Sequence, residues 1–161
     1  MSTKMIVLKS SDNVEFQIEE DVARQCLTIA HWIDDENTNN GVPLTNVKGK
    51  ILALVTEYCI KHHVDREKPE DLKTWDDKWF MNLQTDPSTL LALILAANYL
   101  DNKTLLDRAC QAMADMITEK TVEQIFTDFN IEKGYTDEEE REVLEKINGL
   151  LIEKRIIKKK L

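Results

Sequence analysis

The stretch Leu91–Asp107, LALILAANYLDNKTLLD, decides how this chain is read. Together with Leu90 it begins as the longest uninterrupted apolar run in the sequence, ending at Ala97. A run this short is far below the roughly 20 residues that span a bilayer as a helix. Being apolar on every side of a helical period, it predicts a central, fully packed helix. Its start has suitable chemistry, because Asp86 offers an acceptor cap and Pro87 occupies a first-turn position where its missing N–H costs nothing. Beyond it, Asp101 is expected to cap a second helix over Asn102–Ile117, with Leu105, Leu106, Ala109, Met113 and Ile117 at core spacing.

Working toward the N-terminus, Ile51, Leu52, Val55, Tyr58 and Cys59 recur at three- and four-residue steps and predict a helix from Asn46 to His62. Residues Val64–Lys73 are charged, contain Pro69 and are read as a loop. Trp75 and Trp79, one turn apart, suit a short helix with an aromatic face. Met5–Leu8 and the alternating Val14–Ile18 flank the turn-forming Ser10–Asn13 and predict a hairpin. Short helical patterns follow at Glu20–Cys26 and Thr28–Ile33, then a polar insert, Asp34–Gly41. Val42–Leu44 suits a short edge strand, since Pro43 cannot donate to a ladder.

Toward the C-terminus, Thr121 with Gln124 and Thr136 with Glu139 both match the capping box of a helix start. Asp137–Glu140 also places carboxylates at the positive end of a helix dipole. Strands first and helices afterwards, without an internal repeat, give an α+β fold in which a small sheet lies under a helical cluster. Ile125, Phe126, Phe129 and Ile131, followed by Val143, Leu144, Ile147, Leu150 and Leu151, leave more apolar helix surface than two short helices bury on each other. Ordinary core and a groove for a partner's helix both fit that periodicity.

Composition narrows the function. The chain has 161 residues, 42% hydrophobic and 32% charged, with a net charge of −9. Such a balance argues against generic binding to DNA or RNA, which depends on cationic contacts to phosphate. The opening residues, MSTKMIVLKS, lack the apolar core of a signal peptide, so no secretory leader is expected. Cys26, Cys59 and Cys110 are odd in number and lie in apolar segments, as small buried hydrophobes do.

Little here suggests bond chemistry. Cys59, His62 and His63 are the best metal candidates, but no second Cys/His cluster completes a zinc set, and histidines at a helix C-terminus suit its carbonyls. Carboxylate pairs such as Asp34–Glu36, Asp76–Asp77 and Asp137–Glu140 sit in polar surroundings and read as solvated faces or helix starts. No Gly-rich phosphate loop, GxSxG or HExxH is present. A non-enzymatic protein without metal or cofactor is expected.

At LALILAANYLDNKTLLD the chain resembles the S-phase kinase-associated protein 1 family, the small adaptors of SCF (cullin–RING) ubiquitin ligases. The resemblance extends to MIVLKSSDNVEFQIEEDVARQCLTI (5–29), VPLTNVKGKILALVTEYCIKHH (42–63), TWDDKWF (74–80) and MADMITEKTVEQIFTDFNIEKGYTDEEE (113–140), covering roughly residues 1–146. It implies a BTB/POZ fold, cullin-binding, over about residues 1–120. Residues 121–161 would then form a C-terminal extension, with two helices that bind F-box proteins. Such adaptors bridge a cullin to an F-box substrate receptor, and through the cullin meet a RING protein and a ubiquitin-conjugating enzyme, in cytoplasm and nucleus. Carried over by motif, Asn98 and Tyr99 resemble the cullin-facing pair. Leu105, Met113, Ile117, Ile125, Phe129 and Ile131 resemble F-box-facing positions. A BTB-type homo-oligomer or an elongin-like adaptor with another partner is the alternative, although shorter elongin-like chains end before the two capped C-terminal helices.

The chain also departs from the family pattern. Its insert at Val64–Lys73 is short, as in plant-like members. Where members commonly read FTPEEE, this chain reads YTDEEE, with Asp137 in place of the proline. Members usually finish near ENQWCEE, with a tryptophan that packs on the F-box. Here the end is KINGLLIEKRIIKKKL, and Gly149 or Leu150 takes the approximate place of that tryptophan. The tail permits three readings: a continued last helix, interrupted or not at Gly149; a basic segment touching anionic membrane; or a nuclear import signal in KRIIKKK. Residues 154–161 hold five basic and no acidic groups, leaving residues 1–153 with 16 basic against 30 acidic, a net −14.

Overall fold

A computed structural model of the chain describes residues 4–35, 40–116 and 137–160. The hairpin forms as its alternation requires. Strand β1 (Met5–Lys9) pairs antiparallel with β2 (Glu15–Glu19), setting Ile6 opposite Ile18 and Leu8 opposite Phe16. Ile6, Leu8 and Ile18 are buried, so the period-2 pattern turns one face of the hairpin to the core. Strand β3 (Val42–Pro43) joins β1 in parallel, giving the order β2-β1-β3. Pro43 lies on this edge strand, and the pairing continues one residue further where Leu44 N–H donates to the Lys9 carbonyl at 2.8 Å.

The helices are α1 (Glu20–Ala23), α2 (Leu27–Asp34), α3 (Gly49–Val64), α4 (Pro69–Leu83), α5 (Pro87–Leu100), α6 (Lys103–Met116) and α7 (Asp137–Lys160). Helix α5 is central. Leu90, Leu91, Leu93, Ile94, Leu95, Ala96, Ala97 and Leu100 are all buried, and α2, α3, α4, α6 and α7 each pack on it. Asp86 caps it, accepting from the Thr89 N–H at 3.3 Å and from its hydroxyl at 2.6 Å.

Three expectations need correction. The charged stretch ending at Lys73 is not all loop, because α4 begins at Pro69. Proline here sets the first-turn φ, and Glu70 and Asp71 meet the positive end of the dipole, so a helix start had the composition of a loop. The helix carrying Trp75 and Trp79 is also not short, at 15 residues. Asp101 does not cap α6. It adopts a left-handed conformation, φ 56°, that ends α5, and the Asn102 carboxamide oxygen instead accepts the Leu105 N–H at 3.2 Å.

Asp76 needs correction as well. It is 7% exposed, not on a solvated face, because the helical period puts it on the same side as Trp79 and Phe80. There it meets His62 Nε2 at 2.8 Å, while Tyr58 stacks on the His62 ring at 4.0 Å between centroids. Trp75 stacks on Trp79 at 5.2 Å, completing the aromatic layer that fixes α4 to α3. Asp77, by contrast, is exposed and pairs with Arg108 of α6 at 2.9 Å.

The C-terminal apolar stripe also resolves in part. Val143 and Ile147 are buried and belong to the main core, so α7 packs across α5 and α6 in the ordinary way. The helix runs through Gly149 without interruption to Lys160. The capping box at Thr121, the glutamine that completes it, and Thr136 lie outside the described residues.

Two glycines respond oppositely to a methyl group. At Gly49 a Cβ would stand 2.7 Å from Val14 Cγ2, because the Ser10–Asn13 turn closes on this helix start and Asp12 accepts the Gly49 N–H at 2.8 Å. At Gly149 a Cβ would meet nothing within 4 Å. Gly49→Ala is expected to destabilise by about 1–3 kcal/mol through overpacking. Gly149→Ala is expected to stabilise by about 0.5–1 kcal/mol through helix propensity. Urea unfolding of both variants checks the opposite signs.

The cap at Asp86 has a pH signature. The Thr89 hydroxyl, then Ser88 and the Thr89 amide, hold its carboxyl below the ordinary value of 3.8. A depressed carboxylate contributes fully above its unfolded value and loses that contribution as pH falls through the folded one. Asp86→Ala should cost about 1 kcal/mol at neutral pH. Asp86→Asn should keep most of the cap there while losing less stability than the parent between about pH 5 and pH 2. Urea midpoints across that range measure the difference.

Candidate functional site

The sequence-predicted pair Asn98 and Tyr99 occupies the last turn of α5, and both residues are half-buried on a helix buried at most of its positions. This end is fixed by α2. The Thr28 hydroxyl donates to the Tyr99 carbonyl at 3.0 Å, and the Leu27 N–H donates to the Asp101 carbonyl at 3.3 Å. Helix α2 thereby satisfies two carbonyls at the end of α5 that have no partner within that helix. Next to them, Thr28, His31, Trp32 and Asp35 line a shallow hollow on the outer side of α2. Trp32 is half-buried, presenting aromatic area beside Tyr99's helix end. The sequence reading missed His31 and Trp32. The signal available was an indole in an amphipathic helix whose opposite residues, Ile29, Ala30 and Ile33, form the buried face.

The other predicted positions behave differently. Leu105 and Met113 on α6 are both 0% exposed and lie within the continuous core. They shape the face of α6 from beneath and offer no surface of their own. Ile117, Ile125, Phe129 and Ile131 lie outside the described residues. A second surface hollow does exist between α6 and α7, lined by Asp107, Gln111, Glu145, Lys146, Gly149 and Leu150. Lys146 and Asp107 bridge it at 2.6 Å, and Leu150 is half-buried at one end. The hollow contains Gly149 and Leu150, the approximate place where the family resemblance leads one to expect a tryptophan.

The metal candidates are drawn apart. His62 faces Asp76 and the Tyr58 ring, whereas the Cys59 thiol faces Asn102 at 3.5 Å. Among the described residues, no three His, Cys, Asp or Glu side chains are grouped so as to hold a metal ion. Nor is any helix among them long and apolar enough to cross a membrane.

The junction that carries Tyr99 also depends on Asn102, which the sequence reading passed over in favour of Asp101. Asn102 is 3% exposed. Its oxygen caps α6, and its Nδ2 lies 3.5 Å from Cys59 Sγ and 3.8 Å from Cys26 Sγ. One carboxamide thus ties α6, α3 and the start of α2 together.

Comparison with known proteins gives this arrangement a family. Residues 4–64 match the Skp1 family tetramerisation domain, and residues 103–148 match the Skp1 family dimerisation domain. The two matches include the sheet with α1–α3, and then α6 with the first half of α7. Among similar proteins is SKP1-like protein 10 of Arabidopsis thaliana, 56% identical over 146 residues, or 89% of this chain and 94% of the relative. SKP1-like protein 11 of the same plant matches equally well, with the same identity and coverage. SKP1-like protein 1A, again from Arabidopsis thaliana, is 50% identical over 155 residues, with 89% and 94% covered. With a BTB/POZ-like sheet and helical cluster, and both characteristic domains present, this chain belongs to the Skp1 family.

Proposed function

We propose that the chain is a non-catalytic adaptor of an SCF (cullin–RING) ubiquitin ligase, joining a cullin to F-box substrate receptors in cytoplasm and nucleus. The observation that carries the reading is the end of α5. A helix whose middle is almost wholly buried leaves one polar and one aromatic residue, Asn98 and Tyr99, partly open at its C-terminus. Tyrosine provides contact area and a polar tip at low entropic cost, and Trp32 extends that aromatic surface. This patch takes the cullin.

The F-box protein takes the face of α6 and α7, together with the segment between them. The hollow beside Gly149 and Leu150 supports this assignment, since it is an unfilled place at the edge of the packed α6–α7 contact. The two faces stand on different helix ends, so each partner loses its surface to water exclusion independently. The energy of the assembly is differential burial, with no bond made or broken.

Asn98→Lys combined with Tyr99→Lys should abolish cullin pull-down while F-box binding survives. A second arm compares the full chain with a version ending at Asn148. Recovery of a cullin by both, and of F-box proteins only by the full chain, would assign the tail to the F-box face. Equal loss of both partners in the double variant counts against separate surfaces. Recovery of neither partner by the full chain, with a homodimer in sedimentation, would replace the adaptor reading with self-assembly.

A further inference from the structure

The dipeptide Asn-Gly occurs twice in this chain, as Asn40–Gly41 and as Asn148–Gly149. An asparagine carboxamide is unreactive toward water unless the next main-chain nitrogen can close on its carbon. A following glycine has no side chain to hinder that approach. Both asparagines are exposed, so access to water does not separate the two places. Their backbones do.

At residues 40–41 the chain enters β3 from a turn. Gly41 has φ 83°, and a Cβ there would stand 3.1 Å from Lys9 Cε and 3.3 Å from the Val7 carbonyl oxygen. Glycine alone meets both conditions at low cost, so the fold itself demands an unhindered neighbour for Asn40. Among the described residues, no acceptor takes the Gly41 N–H, because the parallel pairing with β1 begins at Val42. Inside α7 the same dipeptide is placed differently. There the helical pattern gives the Gly149 N–H to the carbonyl four residues back. It also holds Asn148 near the helical ψ of about −42°, away from ring closure.

We propose that Asn40 is a modification site, converted through a cyclic imide into isoaspartate and aspartate, while α7 protects the identical dipeptide at 148–149. The Gly41 nitrogen bonds to the Asn40 Cγ, the Cγ–Nδ2 bond breaks, and Nδ2 leaves as ammonia with the Gly41 amide proton. Water then opens the imide. Cleavage between the Gly41 nitrogen and the main-chain carbonyl carbon of residue 40 gives isoaspartate, and cleavage at Cγ gives aspartate. One water is consumed and one ammonia released, with no change in oxidation state.

Either product adds a negative charge to a chain that already carries −9. Isoaspartate also lengthens the main chain by one atom just ahead of β3, where Val42 is 0% exposed and pairs with Leu8. The modification therefore acts on the sheet edge. It needs only water, whichever partners the chain binds.

The test incubates the folded full-length chain at mildly alkaline pH, digests it at mildly acidic pH, and maps the peptides by mass spectrometry with electron-transfer fragmentation. Residue 40 should be recovered as isoaspartate and aspartate, and Asn148 intact. In urea, where α7 is lost, both asparagines should convert. A protein isoaspartate methyltransferase with labelled S-adenosylmethionine should label the incubated parent and leave Asn40→Gln at background. Equal conversion of Asn40 and Asn148 in the folded chain overturns the proposal. So does an intact Asn40 in the folded chain under conditions that convert it in urea. The peptide mapping uses the parent alone and stands even if the glutamine variant does not fold.

Discussion

A helix without a solvent face dictates this structure. Helix α5 carries leucine, isoleucine and alanine around its whole circumference, and each fully buried leucine or isoleucine contributes about 1.5–3 kcal/mol only if something covers it. No single neighbour can do that. Helices α2 and α3, the latter backed by α1 and the sheet, form one side, α4 and α6 another, and α7 closes over α5 and α6. The elements on either side of α5 thus become parts of one core, although the two family domains are separated in sequence by 38 residues, 65–102.

The consequence is that the polar side chains of α5 itself are confined to its two ends. At its start, Asp86 satisfies an amide and Thr89 holds the carboxylate. At its end, left-handed Asp101 stops the helix, Asn102 starts the next, and Leu27 and Thr28 take up the Asp101 and Tyr99 carbonyls. A non-glycine residue in the left-handed region costs about 1 kcal/mol, which the surrounding hydrogen bonds offset. Because α2, α3, α5 and α6 converge there, the same few residues set the exposure of Tyr99 and the seat of the Asn102 amide against Cys26 and Cys59.

Much of this was legible in the sequence, for physical reasons that also explain the failures. The apolar run Leu90–Ala97 and the alternation of β2 are periodic signals, and periodic signals survive folding because burial enforces them. The Asp86–Pro87 start is local chemistry, and it formed as local chemistry dictates. Pro69 failed because proline serves both as a breaker and as a first-turn residue, and only tertiary anchoring by Trp75 and Trp79 decides between them. Asp101 and Asn102 are both good caps, and the choice depended on which one could adopt the left-handed turn while the other faced the core. The places of Asp76 and Asn102 were illegible because their partners lie on other helices. Among the candidate residues, Asn98 and Tyr99 are half-buried at the end of α5, whereas Leu105 and Met113 lie in the core, a distinction that hydrophobic spacing cannot make.

The unusual C-terminus can then be weighed in the same terms. Residues after 148 fall outside the matched family domain, and they hold the five basic groups that offset an acidic body of −14. Yet α7 continues unbroken to Lys160, about 15 Å beyond Leu150 at the usual helical rise. Lys and Arg in the last turns of a helix meet the negative end of its dipole, a stabilisation available without any external anion. The basic tail therefore has a sufficient reason within the chain, and its charge alone does not call for a membrane or a nucleic acid. One turn earlier, Gly149 and Leu150 line the α6–α7 hollow, and neither fills it with a large aromatic side chain.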